Sequence, residues 1–118
     1  MKSLYIKSFF TLSLLFSLNA FAQEPTDTVL LVNGVCEMCQ NTIQNAALKT
    51  KGVKHAVWNV QTKVLSLSYE ANKVSLEEIS NNIAKSGYDT EYIAATEEDY
   101  KALHKCCHYR DPEVVNAH

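Results

Sequence analysis

The sequence predicts an α+β sandwich in which a four-stranded antiparallel sheet carries two helices on one face. Three observations lead to this fold class. Alternating apolar residues mark extended segments, two stretches repeat apolar residues at helical spacing, and the turn residues between them give the order β-α-β-β-α-β. This order is the ferredoxin-like, split β-α-β arrangement, and a short helical tail is expected to follow it at the C-terminus.

The first strand and the first helix flank a pair of cysteines. A strand is predicted at 29–32, an aliphatic run that ends at the turn pair Asn33-Gly34. The segment 39–49 contains no Gly or Pro, and Ile43 and Ala47 recur at helical spacing within it. We therefore expect the first helix to begin at the second cysteine, directly after the turn.

An antiparallel hairpin is predicted to follow the first helix. Each of its strands places three apolar side chains on one face: Ala56, Trp58 and Val60, then Leu65, Leu67 and Tyr69. The polar residues at 61–63 join the two segments as a turn. Trp58 lies on the inward face, so we expect it in the core.

The second helix has the clearest start and end of all the elements. Ser75 and Glu78 form a capping box, and Gly87 provides the stop signal. A fourth strand is predicted at 88–93, where Tyr88, Thr90 and Tyr92 alternate with two acidic residues. A short third helix is expected from Thr96 to about Lys105, followed by a loose end after Pro112.

The first 22 residues have the features of a secretory signal peptide. Lys2 and Lys7 precede an apolar run at 9–18, and Ala20-Phe21-Ala22 provides the small-x-small pattern that signal peptidase cleaves. The run has about half of the roughly 20 residues that cross a bilayer. We therefore predict cleavage after Ala22 and release into the periplasm without membrane insertion, as a domain at 23–93 with a tail at 94–118.

The charge of the chain argues against one class of partner. The formal net charge is −2, and the loss of Lys2 and Lys7 with the signal peptide leaves the mature chain at −4. Nucleic-acid binding requires clustered positive charge. We expect a monomer that binds no nucleic acid.

Cys36 and Cys39 are the strongest candidates for a functional site. They lie between the first strand and the first turn of the first helix, where unpaired N–H groups and the helix dipole favour thiolates. Two thiolates three positions apart can converge on one metal ion, and soft sulfur ligands select thiophilic metals over Mg(II) or Ca(II). The pair predicts a site for Cu(I), Zn(II) or another soft metal ion.

Three other interpretations use the same pair. In an exported chain Cys36 and Cys39 can form a structural disulfide. A thiol-disulfide redox protein also begins a helix with C-x-x-C, although Pro25 and Pro112, the only prolines, leave none to lie in cis opposite the cysteines. A structural zinc site with four ligands needs a second cysteine pair in the right place.

Several separated motifs together resemble the heavy-metal-associated domain. They are the C-x-x-C at a strand-to-helix turn, Gly52-Val53, the alternating strand Leu65/Leu67/Tyr69 and the turn Gly87-Tyr88-Asp89. The resemblance implies a metal carrier that is not an enzyme, with Cys36 and Cys39 as ligands and Tyr88 beside the site. It also implies Cu(I) as the first choice of metal, with Hg(II) or Zn(II) as alternatives. The metal is expected to pass by thiolate exchange to a copper-exporting ATPase, an efflux component or a mercury transporter.

The loop before the first cysteine departs from the family pattern. The family usually has Gly-Met-x-Cys-x-x-Cys, whereas Asn33-Gly34-Val35-Cys36 either lacks one residue or has Gly34 in the position of the methionine. The whole chain resembles exported bacterial members that share this shortened loop and a Cys-Cys tail.

The tail carries a second cysteine pair, Cys106 and Cys107. Adjacent Cα atoms are about 3.8 Å apart, whereas disulfides usually need about 4.4–6.8 Å, so these cysteines are expected to find another partner. If the third helix continues, His104, Cys107 and His108 share one face at a spacing suited to metal ligation. Alternatively, Cys107 packs as a small apolar residue. We predict that one tail cysteine reaches the first pair, as a ligand or a disulfide partner, with His104 or His108 assisting.

Overall fold

Three antiparallel strands and two helices form the two layers of the fold in a computed structural model that describes residues 24–118. The predicted signal peptide at 1–22 and its cleavage position after Ala22 lie outside the described residues. The layers confirm the α+β class. No helix within 24–118 has both the length and the apolar character needed to cross a membrane.

The sheet has the strand order β1-β3-β2, and all its pairings are antiparallel. Its strands cover three segments: β1 Thr26–Leu31, β2 Val53–Trp58 and β3 Val64–Tyr69. Leu65 in the central strand pairs with Leu30 on one side and with Trp58 on the other. The predicted hairpin is confirmed, while the first strand begins before its expected start at Val29.

The two helices are α1, Glu37–Leu48, and α2, Leu76–Lys85. The Oγ of Ser75 accepts a hydrogen bond from the N–H of Glu78 at 3.1 Å, which confirms Ser75 as the N-cap of α2. Helix α1 begins before its expected start because the extended backbone of Cys36 serves as its N-cap. The second cysteine therefore lies within the first turn of α1.

The core lies between the helices and the inward face of the sheet. Both layers contribute large, fully buried members to it: Leu30, Ile43, Trp58, Leu65, Ile79 and Ile83. Trp58 is in the core as predicted, and its Nε1 donates a hydrogen bond to the carbonyl of Val32 at 3.0 Å. Gln40 donates to the Trp58 carbonyl at 2.8 Å, and Gln44 accepts from the Trp58 N–H at 2.9 Å. These bonds fix the start of α1 against β2.

The prediction of a fourth strand at 88–93 is wrong. Within the described residues the sheet has three strands, and Thr90 makes a single antiparallel bridge to Val32. The Thr90 hydroxyl accepts hydrogen bonds from the N–H groups two and three residues later, so the chain turns where a strand would continue. The side chain of Glu91, at 2.8 Å, satisfies the N–H of Leu31.

The tail contains three short helical segments: α3 Glu97–Lys101, a 3₁₀ turn Lys105–Cys107 and α4 Pro112–Asn116. Thr96 caps α3, since its Oγ1 accepts from the N–H of Asp99 at 3.1 Å. The prediction that this helix continues to Lys105 is wrong. Leu103 packs directly against Gly87, so the chain has already turned toward the domain at that point. The segment after Pro112 forms α4, where a loose end was expected.

Candidate metal centre

The loop between β1 and α1 is held closely against the core. Val35 is buried, and the carbonyl of Gly34 accepts a hydrogen bond from Lys63 Nζ at 2.6 Å. A Cβ atom at Gly34 would lie 2.9 Å from the Trp58 ring and 3.2 Å from the Cβ of Cys39. The missing side chain of Gly34 thus allows the shortened loop to approach the core, with Val35 as its apolar anchor.

Cys36 and Cys39 lie at the N-terminus of α1, where the sequence predicts them. Cys36 is the half-buried N-cap residue, and Cys39 is fully buried. Their Sγ atoms are 3.6 Å apart, and the N–H of Val35 lies 3.5 Å from the sulfur of Cys39. Two sulfurs that each bond an ion at about 2.3 Å can be up to about 4.6 Å apart. Both sulfur atoms are therefore close enough to bind one ion.

The surroundings of Cys39 favour its thiolate. Burial raises the pKa of this thiol, but hydrogen bonds from the Tyr88 side chain, from backbone N–H groups and from Cys107 outweigh it and lower the pKa below its ordinary value. Burial and the hydrogen bond to Cys39 raise the pKa of Tyr88, which keeps this hydroxyl protonated as a donor. Tyr88 is 1% exposed and lies beside the site.

The tail brings the second cysteine pair to the first. The Sγ atoms of Cys36, Cys106 and Cys107 all lie within 4.8 Å of one another, and those of Cys106 and Cys107 are 4.0 Å apart. Cys107 is buried, whereas Cys106 is exposed. Burial, together with the neighbouring Cys39, raises the pKa of the Cys107 thiol. Cys107 is thereby a proton donor toward the Cys39 thiolate.

Neither His104 nor His108 joins this cluster of sulfur atoms within the part of the chain that the structure describes. The expectation that they share a helix face with Cys107 is wrong, because the helix has already ended. Nε2 of His108 lies 3.0 Å from the carbonyl of Leu103, and its ring packs on Tyr100 with the centroids 4.9 Å apart. His104 is exposed before the 3₁₀ turn.

Tyr109 attaches the tail beside Tyr88. Its hydroxyl donates a hydrogen bond to the carbonyl of Gly87 at 2.7 Å and accepts one from the N–H of Asp89 at 2.9 Å. The rings of Tyr88 and Tyr109 stack with their centroids 5.5 Å apart. Burial raises the pKa of Tyr109, so its hydroxyl keeps the proton that it donates.

Arg110 forms the second attachment of the tail. Its guanidinium donates to Asp89 at 2.8 Å, to Glu97 at 3.0 Å and to the carbonyl of Ala95 at 2.9 Å. Neither Arg110 nor Tyr109 was predicted from the sequence. Arg110 is the only arginine of the chain, and a lone planar group with five donors is the one signal that could have indicated a surface clamp.

Comparisons with known proteins agree with this geometry. The chain matches the heavy-metal-associated domain over residues 29–89. It is 32% identical over 65 residues to the copper chaperone CopZ of Staphylococcus epidermidis, covering 54% of this chain and 96% of that protein. It is 30% identical over 88 residues to the mercuric transport protein periplasmic component of Shewanella putrefaciens, covering 75% of this chain and 93% of that protein. A solved structure of a CopZ metallochaperone superposes with a TM-score of 0.53 and 27% identity, over 55% of this chain and 98% of that one.

The chain therefore belongs to the heavy-metal-associated domain family. The matched residues contain Cys36, Cys39 and Tyr88, so the resemblance inferred from these motifs is confirmed. The family consists of metal-binding carriers, which confirms the prediction that the protein is not an enzyme. Cys106 and Cys107 lie beyond the matched residues.

Proposed function

We propose that the protein binds a soft metal ion, Cu(I) above all, through Cys36 and Cys39 and hands it to a metal transporter. The observation that carries this proposal is the 3.6 Å separation of the two sulfur atoms at the N-terminus of α1. Thiolates select soft ions over Mg(II) and Ca(II). Cu(I) is bound stably by two such ligands, Hg(II) competes as another soft ion, and Zn(II) ranks third because it usually takes four ligands.

Metal transfer proceeds by ligand exchange at a constant oxidation state. A thiolate of the partner forms a new bond to Cu(I), one cysteine–copper bond breaks, and the released cysteine takes up a proton from solvent. Cys36 is half-buried, whereas Cys39 is fully buried and its thiolate is stabilised by Tyr88. Within this pair, Cys36 is therefore the sulfur that is more accessible to a partner thiolate.

The relatives support a metal transporter as the partner, and the predicted signal peptide supports a periplasmic location. One relative is a copper chaperone, and another is the periplasmic component of mercuric transport. By extension, the partner is a copper-exporting ATPase, an efflux component or a mercury transporter. Cleavage after Ala22 would deliver the mature chain to the periplasm, where it acts as a monomer without nucleic acid.

The test is competition for Cu(I) between the reduced mature protein and a chromogenic Cu(I) chelator under anaerobic conditions. The double substitution Cys36→Ser/Cys39→Ser should weaken Cu(I) retention by about 100-fold or more. Circular dichroism checks that the variant folds. Met38→Leu is the matched control, since it removes the exposed thioether between the two cysteines and should leave the affinity unchanged.

Two outcomes would contradict the proposal. One is Cu(I) retention by the double variant that equals that of the wild type. The other is catalytic turnover of a disulfide substrate by the metal-free protein, which would support the thiol-disulfide interpretation of the C-x-x-C pair.

A further inference from the structure

Three of the four cysteine sulfurs form a group that the C-x-x-C pair does not account for. Cys36, Cys106 and Cys107 have their Sγ atoms within 4.8 Å of one another, and Cys36 is also 3.6 Å from Cys39. Cys36 is therefore common to the pair at the helix N-terminus and to the group that the tail completes. Two of these thiols come from a segment outside the family match.

Contacts that involve no metal hold the tail in this position. The Tyr109 hydroxyl bonds to both the Gly87 carbonyl and the Asp89 N–H, and Arg110 forms an ion pair with Asp89 at 2.8 Å. These residues directly follow the second cysteine pair in the chain. The position of Cys106 and Cys107 is thus set by the fold of the tail.

The spacing of the three sulfurs fits the coordination of one ion. Three thiolates in a plane around an ion, each at about 2.3 Å, have their sulfurs about 4.0 Å apart, and the sulfurs of Cys106 and Cys107 are separated by 4.0 Å. Cys107 alone could be a small buried core residue. Cys106 is exposed, so burial of apolar surface does not explain its place beside Cys36.

We propose that Cys36, Cys106 and Cys107 form a three-thiolate site for the same soft metal ion, with the tail as a built-in source of two ligands. This inference rests on the proposed function. The oxidation state of Cu(I) does not change in this step. Bonds from the ion to the two tail sulfurs form, and the bond to Cys39 breaks. Cys107 passes its proton to Cys39, to which it is hydrogen-bonded, and Cys106 releases its proton to solvent. Because Cys106 is exposed, it is the ligand that a partner thiolate reaches first.

The first test labels thiols in the wild-type protein, so it needs no variant that could fail to fold. The reduced mature chain is alkylated with iodoacetamide with or without one equivalent of Cu(I), and the modified cysteines are located by peptide mass spectrometry on the monomeric fraction. Exposed Cys106 should react readily without metal, and Cu(I) should slow its alkylation by about tenfold or more. Cys36 should be protected to a similar extent.

The second test counts the sulfur neighbours of Cu(I) by X-ray absorption at one equivalent. The wild type should show three sulfurs, and Cys106→Ser/Cys107→Ser should show two and retain Cu(I) about tenfold less tightly. His104→Ala is the matched control in the same exposed stretch of the tail, and it should keep three sulfurs.

The results separate the two proposals. The three-thiolate site is overturned if Cu(I) protects Cys36 from alkylation but not Cys106. It is also overturned if Cu(I) has the same number of sulfur neighbours with and without the tail thiols. Either result leaves the proposed function intact. Two copper ions bound per wild-type monomer would also overturn it, because the tail would then be a separate site. Protection of neither Cys36 nor Cys106 by Cu(I) contradicts the proposed function itself.

Discussion

Gly34 determines how closely the metal-binding loop approaches the core. Its Cα faces the ring of Trp58 and the Cβ of Cys39, with no room for a methyl group between them. Trp58 cannot move away easily, because its Nε1 and both of its backbone polar groups are hydrogen-bonded. A single residue without a side chain therefore couples the packing of the core to the position of the Cys39 sulfur.

Gly34→Ala should lower both stability and Cu(I) affinity. Insertion of a methyl group into this contact should cost about 1–3 kcal/mol of unfolding free energy, and the displaced loop should retain Cu(I) about tenfold less tightly. Urea denaturation and chelator competition measure the two effects. Gly52→Ala is the control: its φ of +100° makes alanine unfavourable by about 1–2 kcal/mol far from the sulfur atoms, so stability should fall while affinity is retained. Wild-type affinity in Gly34→Ala would refute this role of Gly34.

At the scale of elements, an ion pair connects the tail to the turn after α2. Asp89 accepts from Arg110 and also from the N–H of Ala95 at 2.7 Å. Burial raises the pKa of Asp89, but these hydrogen bonds outweigh it and lower the pKa below its ordinary value. The carboxylate form of Asp89 therefore stabilises the docked tail.

Protonation of Asp89 in acid should break this ion pair and lower the free energy of unfolding. The folded-state pKa of Asp89 lies below the ordinary value of about 3.9, so its contribution is present above that pH and disappears as the pH falls through the folded-state pKa. We expect Arg110→Ala to lose less stability than the wild type between pH 7 and pH 3, measured by urea denaturation with Trp58 fluorescence. Lys101→Ala, an exposed control in α3, should follow the wild type. Parallel pH profiles for Arg110→Ala and the wild type would exclude the mechanism.

At the scale of the whole molecule, the tail is part of the core. Tyr100, Cys107 and Tyr109 are buried in the same apolar cluster as the strands and helices, and the ring of Tyr109 stacks on that of Tyr88. In contrast, α4 contributes no buried residue. The tail thus has a first part that packs on the domain and an end that adds little to the core.

Truncation after Ala95 should preserve β1–β3, α1 and α2 by circular dichroism but lower the unfolding free energy by about 3 kcal/mol or more, since it removes two buried tyrosines. Truncation after Asp111 is the matched control, which removes α4 alone and should change stability by less than about 1 kcal/mol. If the chain truncated after Ala95 has the same free energy of unfolding as the untruncated chain, the tail is not part of the core.

The elements of the domain and the first cysteine pair could be predicted from the sequence because their signals are local. The N-cap of α2 at Ser75, the alternation that buries Trp58 and the position of Cys36 and Cys39 at a helix start each depend on residues a few positions apart. The periodicity of 88–93 is equally local, but it predicted a strand that the chain does not form. There the Thr90 hydroxyl competes for the backbone N–H groups that a strand would use.

Only the tertiary structure decided where the tail lies and which ligands it brings. Cys36 and Cys106 are separated by about 70 positions in the chain, and no periodicity links them. Their approach depends on the hydrogen bonds of Tyr109 and on the ion pair of Arg110 with Asp89. The same turn that brings the cysteines to the site directs His108 to a backbone carbonyl. Such contacts depend on the complementarity of two folded surfaces, which local sequence patterns do not encode.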